Sequence, residues 1–416
     1  MLESLRLWPH IRARLEAGPL GPYLISYITL LTSEGYTRCM IRRHVRAIDA
    51  FGAWLRRRRI TVEGIDLAAL DRFARAYPRR RCSSRPCGRI PEVVGSVRKF
   101  ATFLWAIGAA ECLKTPPPTE ADLLLRSFDK HLDSVKGLAP GTRSRYLRYA
   151  GLFLETKFGS ATPDWSRVGV GDIVDFVREQ AARLKPTACR APVTAIRALL
   201  RYLALTGAVR GGLGGAIPAV REWKHSSLPT YLSAEDVERV LADRGGETAF
   251  RRRDHAILLL LARLGLRASE VAGLDLDSID WRQGRVVIWA GKTGMARELP
   301  LPGDVGEALV SYLRENRPNR CGGAVFLRSR PPHGRLSGAA VSSMAKRALL
   351  RSGVATVHLG SHVFRHSAAT RMVRRGATFK EVADVLGHAS LTTTAIYAKL
   401  DLHTLGRVAL PWPGGA

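Results

Sequence analysis

Apolar side chains recur at helical spacing through the first half of the chain. Within residues 23–31 they fall at i, i+1, i+4, i+7 and i+8, which places them on one face of a helix. A similar stripe follows over residues 41–55. No strand-like alternation interrupts this pattern before residue 207, so the pattern predicts mainly α-helical segments there.

The pattern becomes mixed after residue 226. Residues 284–289 and 298–301 are typical of two short strands around a glycine-containing turn at 291–294. A capping-box pattern at Ser233 starts one helix, and residues 256–264 indicate a buried helix. Further helices are predicted near 304–315, 338–352, 361–375 and 379–402, the last broken at Gly387. This part is therefore predicted to be mixed α+β and mostly helical.

Two breaks rich in proline and glycine divide the chain. Residues 114–119 (KTPPPT) cannot continue a helix, and residues 207–228 join a glycine-rich run to a polar stretch. We therefore predict a multidomain chain with a helical N-terminal domain, a second helical domain and a mixed third domain. Their predicted bounds are 1–113, 119–218 and 226–416.

The first two segments resemble each other. Gly35 aligns with Gly137, and further along residues 97–109 align with 196–208. The order of helices and turns matches as well, which predicts two copies of one small helical domain. The alternative is that any two amphipathic helices align this well.

Charge points to a polyanionic partner. The 416 residues include 65 Lys plus Arg against 36 Asp plus Glu, which gives a net charge of +29. The hydrophobic content of 46% is too high for a disordered basic tail, and each of the three segments is basic. A folded chain with so large a charge most simply binds nucleic acid.

Membrane and secreted classes do not fit the sequence. The longest apolar run, at residues 256–262, is far short of the ~20 residues that span a bilayer. The first residues lack the apolar core of a signal peptide. The six cysteines are sparse, and no pair has the spacing of a structural zinc site. We expect a soluble, cytoplasmic protein without a metal or a cofactor.

Arginines recur at equivalent positions of the two helical copies. Arg43 and Arg46 lie three residues apart in the first copy, and Arg145 and Arg148 match them in the second. Side chains at i and i+3 share a helix face. These four arginines are therefore our candidates for contacts with the phosphates or groove of a duplex.

The third segment holds an ordered set of residues with chemistry suited to a phosphodiester. His362 and Arg365 are three residues apart on one helix, which directs both side chains to one point. His366 falls on a neighbouring face, and we interpret it as structural. The other members of the set are Arg267, Lys292, His388 and Tyr397.

These residue types suit phosphoryl transfer without a metal. Arg267 and Arg365 carry fixed cationic forks that can hold the non-bridging oxygens of a phosphate. The hydroxyl of Tyr397 can attack phosphorus and form a phosphotyrosine link, while Lys292 can protonate the departing oxygen. His362 is then free to accept the tyrosine proton or to bind phosphate, and the second histidine supplies another donor. No cluster of carboxylates in the sequence suits Mg²⁺.

The order of these residues resembles the tyrosine recombinases, the phage-integrase family. The similar stretches are GLRASEVAGLDLDSID, GKTGMARELPL, HVFRHSAAT and VLGHASLTTTAIYAKL, and they span almost all of the third segment. Glu270 matches the acidic position of the family and would orient Arg267 or His362. The resemblance implies a nucleophile, Tyr397, and an active-site set of Arg267, Lys292, His362, Arg365 and His388.

The resemblance also implies a fold and a reaction. Residues 119–218 are similar to the helical core-binding domain of the family, and the helical copy before them departs from its simplest members. The implied function is site-specific recombination, integrase-like or transposase-like, through a 3′-phosphotyrosine link and a four-way junction. The implied partners are double-stranded recombination sites and further copies of the chain in a homotetramer, with or without sister recombinases.

Two other functions stay open from the sequence alone. A type IB topoisomerase uses the same kind of site as a monomer, although the helical domain and the particular motifs favour recombination. A DNA-binding protein without catalysis is the other alternative, and the complete set of catalytic residue types argues against it.

Overall fold

The computed structural model describes the chain in several stretches. They are residues 9–77, 90–111, 118–159, 161–184, 188–209, 212–215, 217, 230–243, 249–289, 296–315, 317, 322–388, 394, 396 and 397. The chain divides into two compact units. One comprises residues 1–57, 80–100 and 225–416, and the other comprises 58–79 and 101–224.

The first half of the chain is helical, as the apolar stripes predict. Its helices are α1 (Pro9–Glu16), α2 (Gly21–Ser33), α3 (Arg38–Arg58), α4 (Leu67–Ala76), α5 (Ile90–Ala106), α6 (Glu120–Ser134), α7 (Pro140–Phe158), α8 (Val170–Ala182) and α9 (Arg190–Leu205). None of the described helices of the chain is both long and apolar enough to cross a membrane.

Helices α6 to α9 pack around a shared apolar core. Phe128 of α6, Phe153 of α7 and Ile196 of α9 are almost fully buried in it. Helix α6 begins at a reciprocal cap, in which the hydroxyl of Thr119 accepts from the backbone N–H of Asp122 and the Asp122 carboxylate accepts in return. Burial of one apolar face of each helix is what holds this group together.

The last part of the chain is mostly helical with a small sheet, which confirms the predicted mixed class. Its elements are α10 (Ala234–Ala242), α11 (Ala249–Arg263), α12 (Ala268–Gly273), β1 (Ile279–Asp280), β2 (Arg285–Ile288), β3 (Arg297–Pro300), α13 (Gly303–Glu315), α14 (Gly338–Arg351), α15 (Ser361–Arg374) and α16 (Phe379–Leu386). The two predicted strands are β2 and β3, and β1 is a third, two-residue strand.

The sheet is antiparallel in the order β1-β2-β3. Val286 pairs with Leu299, and both side chains are buried. Glu298 precedes Leu299 on β3, pairs with Val287 and is exposed to solvent. This alternation follows the two-residue period of a strand. It also places Arg297 on the same side of β3 as the buried Leu299, so a charged side chain faces the interior.

Helix α11 is the centre of the larger core. Its apolar run from Ala256 to Ala262 is buried, and the helix packs against α10, α12, α13, α14 and α15. Helix α15 is buried along much of its length, including Phe364 and Ala368. A smaller apolar cluster joins α15 and α16 to Tyr397. The core thus fixes α15, which carries His362 and Arg365, and α16, which His388 follows after one residue.

Candidate active site

Arg267 begins α12, directly after the turn that follows α11. Its backbone N–H donates to Oε2 of Glu270 at 2.8 Å, and its Nη1 donates to Oε1 of the same carboxylate at 2.7 Å. Its Nη2 donates to the carbonyl of Gly387 at 3.0 Å. The side chain is still 37% exposed. Glu270 therefore holds the Arg267 side chain and leaves part of the guanidinium open to a ligand.

Arg365 is the buried arginine of the site, with 5% of its surface exposed. Its Nη1 donates to the carbonyl of Gly265 at 2.8 Å, and its Nη2 donates to the carbonyl of Leu386 at 2.7 Å. Gly265 has a φ of 65°, and a Cβ there would lie 2.7 Å from Cδ2 of Leu386. Only glycine fits this turn without strain, and the turn presents the carbonyl that holds Arg365.

Arg297 is a third arginine of the site, and the sequence reasoning missed it. Its Nη1 and Nη2 donate to Oε1 and Oε2 of Glu270 at 3.2 and 2.9 Å, and its Nε donates to the carbonyl of Val385 at 3.0 Å. The signal that could have revealed it is the strand alternation, because Arg297 shares the interior side of β3 with Leu299.

The C-terminus of α16 gathers the three arginines. Their guanidinium groups donate hydrogen bonds to the carbonyl oxygens of Val385, Leu386 and Gly387. Carbonyls at the end of a helix have no partner within the helix. Gly387 adopts the left-handed conformation with a φ of 62°, and a Cβ there would collide with the guanidinium of Arg297. The end of α16 thus serves as a common anchor for the cationic groups.

The electrostatics of this cluster favour an anion. Among the described residues, one carboxylate, that of Glu270, faces the three guanidinium groups. It accepts hydrogen bonds from Arg267 and Arg297 and interacts with the charge of Arg365. Burial raises the pKa of Glu270, but bonds from Arg297 and Arg267 outweigh that effect and hold the pKa below its usual value. Burial, with the charge of Arg267, lowers the pKa of Arg365 to about 10, so Arg365 stays charged at neutral pH. The cluster therefore has an excess of two positive charges for a ligand such as phosphate.

Two histidines of the predicted set lie beside the arginines. His362 lies on the exposed face of α15. Partial desolvation of its ring, together with the charges of Arg365 and Arg267, lowers its pKa. His388 follows Gly387, and its Nδ1 lies 2.7 Å from Oγ1 of Thr394. Burial, followed by the charges of the three arginines, lowers the pKa of His388 to about 4. Both histidines are therefore neutral near pH 7.

Tyr397 packs into the cluster between α15 and α16 and is 1% exposed. Its hydroxyl lies 2.8 Å from Nδ1 of His366, and the two ring centroids are 5.7 Å apart. Burial raises the pKa of Tyr397 to about 12, against the charge of Arg365. From the sequence we interpreted His366 as structural and expected His362 to accept the tyrosine proton or to bind phosphate. In the structure it is His366 that contacts the tyrosine hydroxyl.

The four candidate arginines of the helical half lie on other elements, α3 and α7. Lys292 lies outside the described residues. Arg43 is exposed on α3 and pairs with Glu92 at 3.9 Å. The exposed Arg145 and Arg148 lie on α7, and the guanidinium of Arg148 is 5.5 Å from the ring centroid of Tyr149. Arg46 is partly buried on α3.

Comparison with known proteins gives the family. The sequence profile described as "Phage integrase family" matches residues 230–403. The integrase/recombinase y4rA of Sinorhizobium fredii is 35% identical over 407 residues, which cover 97% of this chain and 97% of y4rA. The chain belongs to the phage integrase family. It is a tyrosine recombinase, an enzyme that breaks and rejoins DNA.

Other relatives of the recombinase agree with this. Tyrosine recombinase XerD of Mycobacterium tuberculosis is 31% identical over 309 residues, which cover 70% of this chain and 96% of XerD. The crystal structure of XerH bound to a palindromic difH substrate has the same fold, with a TM-score of 0.55 and 18% identity over 72% of this chain and 98% of XerH. The expected recombinase class is therefore confirmed.

The role of Glu270 in the recombinase gives a first prediction. We expect Glu270→Gln to lower the free energy of unfolding by about 3 kcal/mol, because it leaves three guanidinium groups without their buried carboxylate. The matched control is Glu298→Gln on the solvent side of β3, where Glu298 pairs with Arg285 at 3.2 Å. That exposed pair should contribute less than about 1 kcal/mol. Equal losses in denaturant titrations of the two variants would contradict the assignment.

The same carboxylate predicts an acid-sensitive part of the stability. Because folding lowers the pKa of Glu270 below its ordinary value of 4.5, its stabilisation is complete above that pH and is lost as the pH falls through the folded-state pKa. Glu270→Gln lacks this contribution. The unfolding midpoints of the wild type and the variant should therefore converge between about pH 6 and about pH 3. A constant difference across that range would argue against the ion pairs.

Proposed function

We propose that this recombinase acts on one phosphodiester that Arg267 and Arg365 hold and that Tyr397 attacks. The observation that carries the proposal is the excess of positive charge next to a buried tyrosine hydroxyl. A guanidinium has five N–H donors, and the carbonyls of Gly265 and Leu386 use two of those of Arg365. The carbonyls thus orient the fork while further donors stay available for phosphate oxygens. A diester gains negative charge in its transition state, which the cluster would stabilise.

The histidines complete the proposed site. His362, on the exposed face of α15, would donate to a phosphate oxygen. His388 would do the same through Nε2, since a neutral imidazole whose Nδ1 accepts the Thr394 hydroxyl carries its proton on Nε2. Lys292 remains our proposed proton donor to the leaving 5′ oxygen, because its motif resembles the corresponding motif of the family. The products of the cleavage step are then a 3′-phosphotyrosine and a free 5′-hydroxyl.

Thr394 gives a prediction for this site. Thr394→Val keeps the shape of a fully buried side chain but removes the hydroxyl that fixes the ring of His388. We expect the rate of covalent attachment to DNA to fall about tenfold, with unchanged DNA affinity. Thr156→Val is the control, because the Thr156 hydroxyl bonds only to a carbonyl of its own helix among the contacts described for it. A rate within about twofold of the wild type would show that the Thr394 hydroxyl does not support the reaction through His388.

The proposed partners are duplex DNA and further copies of the chain. Solved recombinases of the same fold include XerH on difH and λ integrase on a core site, which supports double-stranded recombination sites as the substrate here. Exchange between two duplexes requires four strand breaks, so four tyrosines are needed. This supports a homotetramer on two synapsed sites, with a four-way junction as the intermediate. The natural reaction would be integration, excision or transposition, in the cytoplasm.

We also propose that the helical half of the chain is a duplicated DNA-binding domain, with the bounds 1–113 and 119–218. Helices α2 to α5 and α6 to α9 follow in the same order, and α3 and α7 have 21 and 19 residues. Gly35 and Gly137, which align in the sequence, have φ angles of 88° and 56°. The matched order, lengths and turns support duplication. Residues 226–416 would then form the catalytic domain.

The exposed arginines of α7 provide the test of DNA binding. We expect Arg145→Gln with Arg148→Gln to weaken binding at least about tenfold and to lower the slope of log affinity against log salt by about two. The control is Arg178→Gln on α8 with Arg183→Gln directly after it, since both arginines already pair with acidic residues of α8. Equal salt slopes for the two double variants would place the DNA contacts elsewhere.

A further inference from the structure

The contact between Tyr397 and His366 joins two parts of the chain that are 31 residues apart in sequence. Helix α15 presents His366 directly after Arg365, and the segment after α16 returns over that face. Tyr397 is 1% exposed, so its hydroxyl is shielded from bulk water. A buried hydroxyl needs a hydrogen-bond partner, and Nδ1 of His366 supplies one at 2.8 Å.

The protonation states of the pair follow from its surroundings. Three groups on or before α15 act on His366, namely Arg365, His362 and His358, and each opposes its protonation. Burial lowers the pKa of His366 first, and these neighbours lower it further. His388, from the segment after α16, interacts with His366 as well. In the neutral tautomer that carries its proton on Nε2, Nδ1 of His366 accepts and the tyrosine hydroxyl donates.

The direction of this hydrogen bond is the one that proton transfer needs. We propose that His366 is a catalytic residue, the general base for Tyr397, an inference that rests on the proposed role of Tyr397 as the nucleophile. As Oη forms its bond to phosphorus and the bond from phosphorus to the 5′ oxygen breaks, the phenolic proton moves to Nδ1 of His366. In the rejoining step the 5′-hydroxyl attacks, and the imidazolium returns the proton to the departing tyrosine.

The cationic surroundings also explain when this base becomes effective. Arg365 and His362 disfavour an imidazolium at His366 while the site holds no anion. A phosphate held by Arg267 and Arg365 brings a negative charge that offsets this repulsion, so a bound diester raises the proton affinity of His366. Proton transfer is then coupled to substrate binding. His362, on the exposed face, is left to contact the phosphate.

The key variant is His366→Asn. An asparagine amide oxygen can occupy the position of Nδ1 and accept the tyrosine hydrogen bond, but it does not take up a proton. His366→Ala removes both functions and allows rescue by added imidazole. The control is His333→Asn, since the Nδ1 of His333 lies 3.0 Å from the carbonyl of Arg328 and His333 is not among the groups that act on His366. The probe is a nicked suicide duplex selected from a random-sequence pool by covalent capture on the full-length wild type.

Single-turnover rates of covalent attachment, from about pH 5 to about pH 9, give the test. The wild-type rate should rise with pH as His366 loses its proton and should then level off. His366→Asn should be about 100-fold slower at neutral pH with the same affinity for the probe, and its rate should now rise tenfold per pH unit. Imidazole should restore His366→Ala at least about tenfold. His333→Asn should match the wild type.

Two results would overturn the role of His366. One is a His366→Asn rate within about threefold of the wild type with the same pH profile, and the other is no imidazole rescue of a His366→Ala protein that still binds the probe. Tyr397→Phe in the same assay separates this failure from that of the proposed function. An adduct with Tyr397→Phe, or no covalent capture by the wild type, would contradict the nucleophile itself. Loss of the adduct with Tyr397→Phe, together with a His366→Asn rate near that of the wild type, would contradict only the base.

Discussion

Tyr397→Phe is expected to abolish covalent attachment of the recombinase to DNA, with a loss of at least about 10⁴-fold in rate. The variant removes one oxygen atom, the proposed nucleophile, and leaves the ring in the cluster between α15 and α16. DNA affinity should stay within about twofold of the wild type, because the hydroxyl faces His366 inside the protein. Stability should fall by about 1 kcal/mol for the lost hydrogen bond.

The matched control for this variant is Tyr312→Phe. Tyr312 is also a buried tyrosine of the same unit, and its hydroxyl accepts from the backbone N–H of Leu327 at 3.3 Å. Its loss should cost similar stability and leave covalent attachment intact. Suicide-duplex trapping on denaturing gels measures both variants. If Tyr397→Phe still formed the adduct, another residue would be the nucleophile.

Arg365→Ala is expected to have the second largest effect, a fall of about 10³-fold or more in the rate of attachment. The variant removes a charge next to the proposed phosphate position and leaves the carbonyls of Gly265 and Leu386 without their donor. Arg365→Lys keeps the charge but cannot bridge both carbonyls, so it should recover only part of the rate.

Exposed arginines show what a change of charge alone does. Arg351→Ala at the end of α14, where the arginine pairs with Asp243 at 3.1 Å, is the control and should change neither rate nor stability by much. Thermal unfolding separates the two parts of the Arg365→Ala effect, since lost stability lowers the midpoint while lost charge does not. An Arg365→Ala protein with the wild-type rate would show that Arg365 has only a structural role.

Much of the site could be predicted because its residues are local in sequence or fixed by helix geometry. The spacing of His362 and Arg365 placed both on α15, and the predicted helix 361–375 agrees with Ser361–Arg374. Glu270 lies one helical turn after Arg267, so a contact between them follows from the period of α12. The C-terminal end of α11 and the two strands β2 and β3 were readable from their apolar runs, but α11 begins at Ala249, before its apolar run.

The missed contacts all depend on tertiary structure. His366 lies on a different face of α15 from the pair at 362 and 365, and only the return of the chain after α16 brings Tyr397 to that face. Thr394 reaches His388 by the same return. Arg297 belongs to the site because β3 turns it toward Glu270, which strand alternation alone indicates only as an interior position. Helical period gives the face of a residue, but not what covers it.

The central claim is that Tyr397 forms the covalent link to DNA, and peptide mapping of the trapped complex tests it most directly. Trypsin cuts after Lys380 and Lys399, so it releases residues 381–399, a peptide with Tyr397 as its single tyrosine. After nuclease trimming, mass spectrometry should find a nucleotide attached to this peptide at Tyr397 in the wild type and on no peptide of Tyr397→Phe. A nucleotide on any other tyrosine, or on a serine or histidine, would contradict the assignment of Tyr397 as the nucleophile.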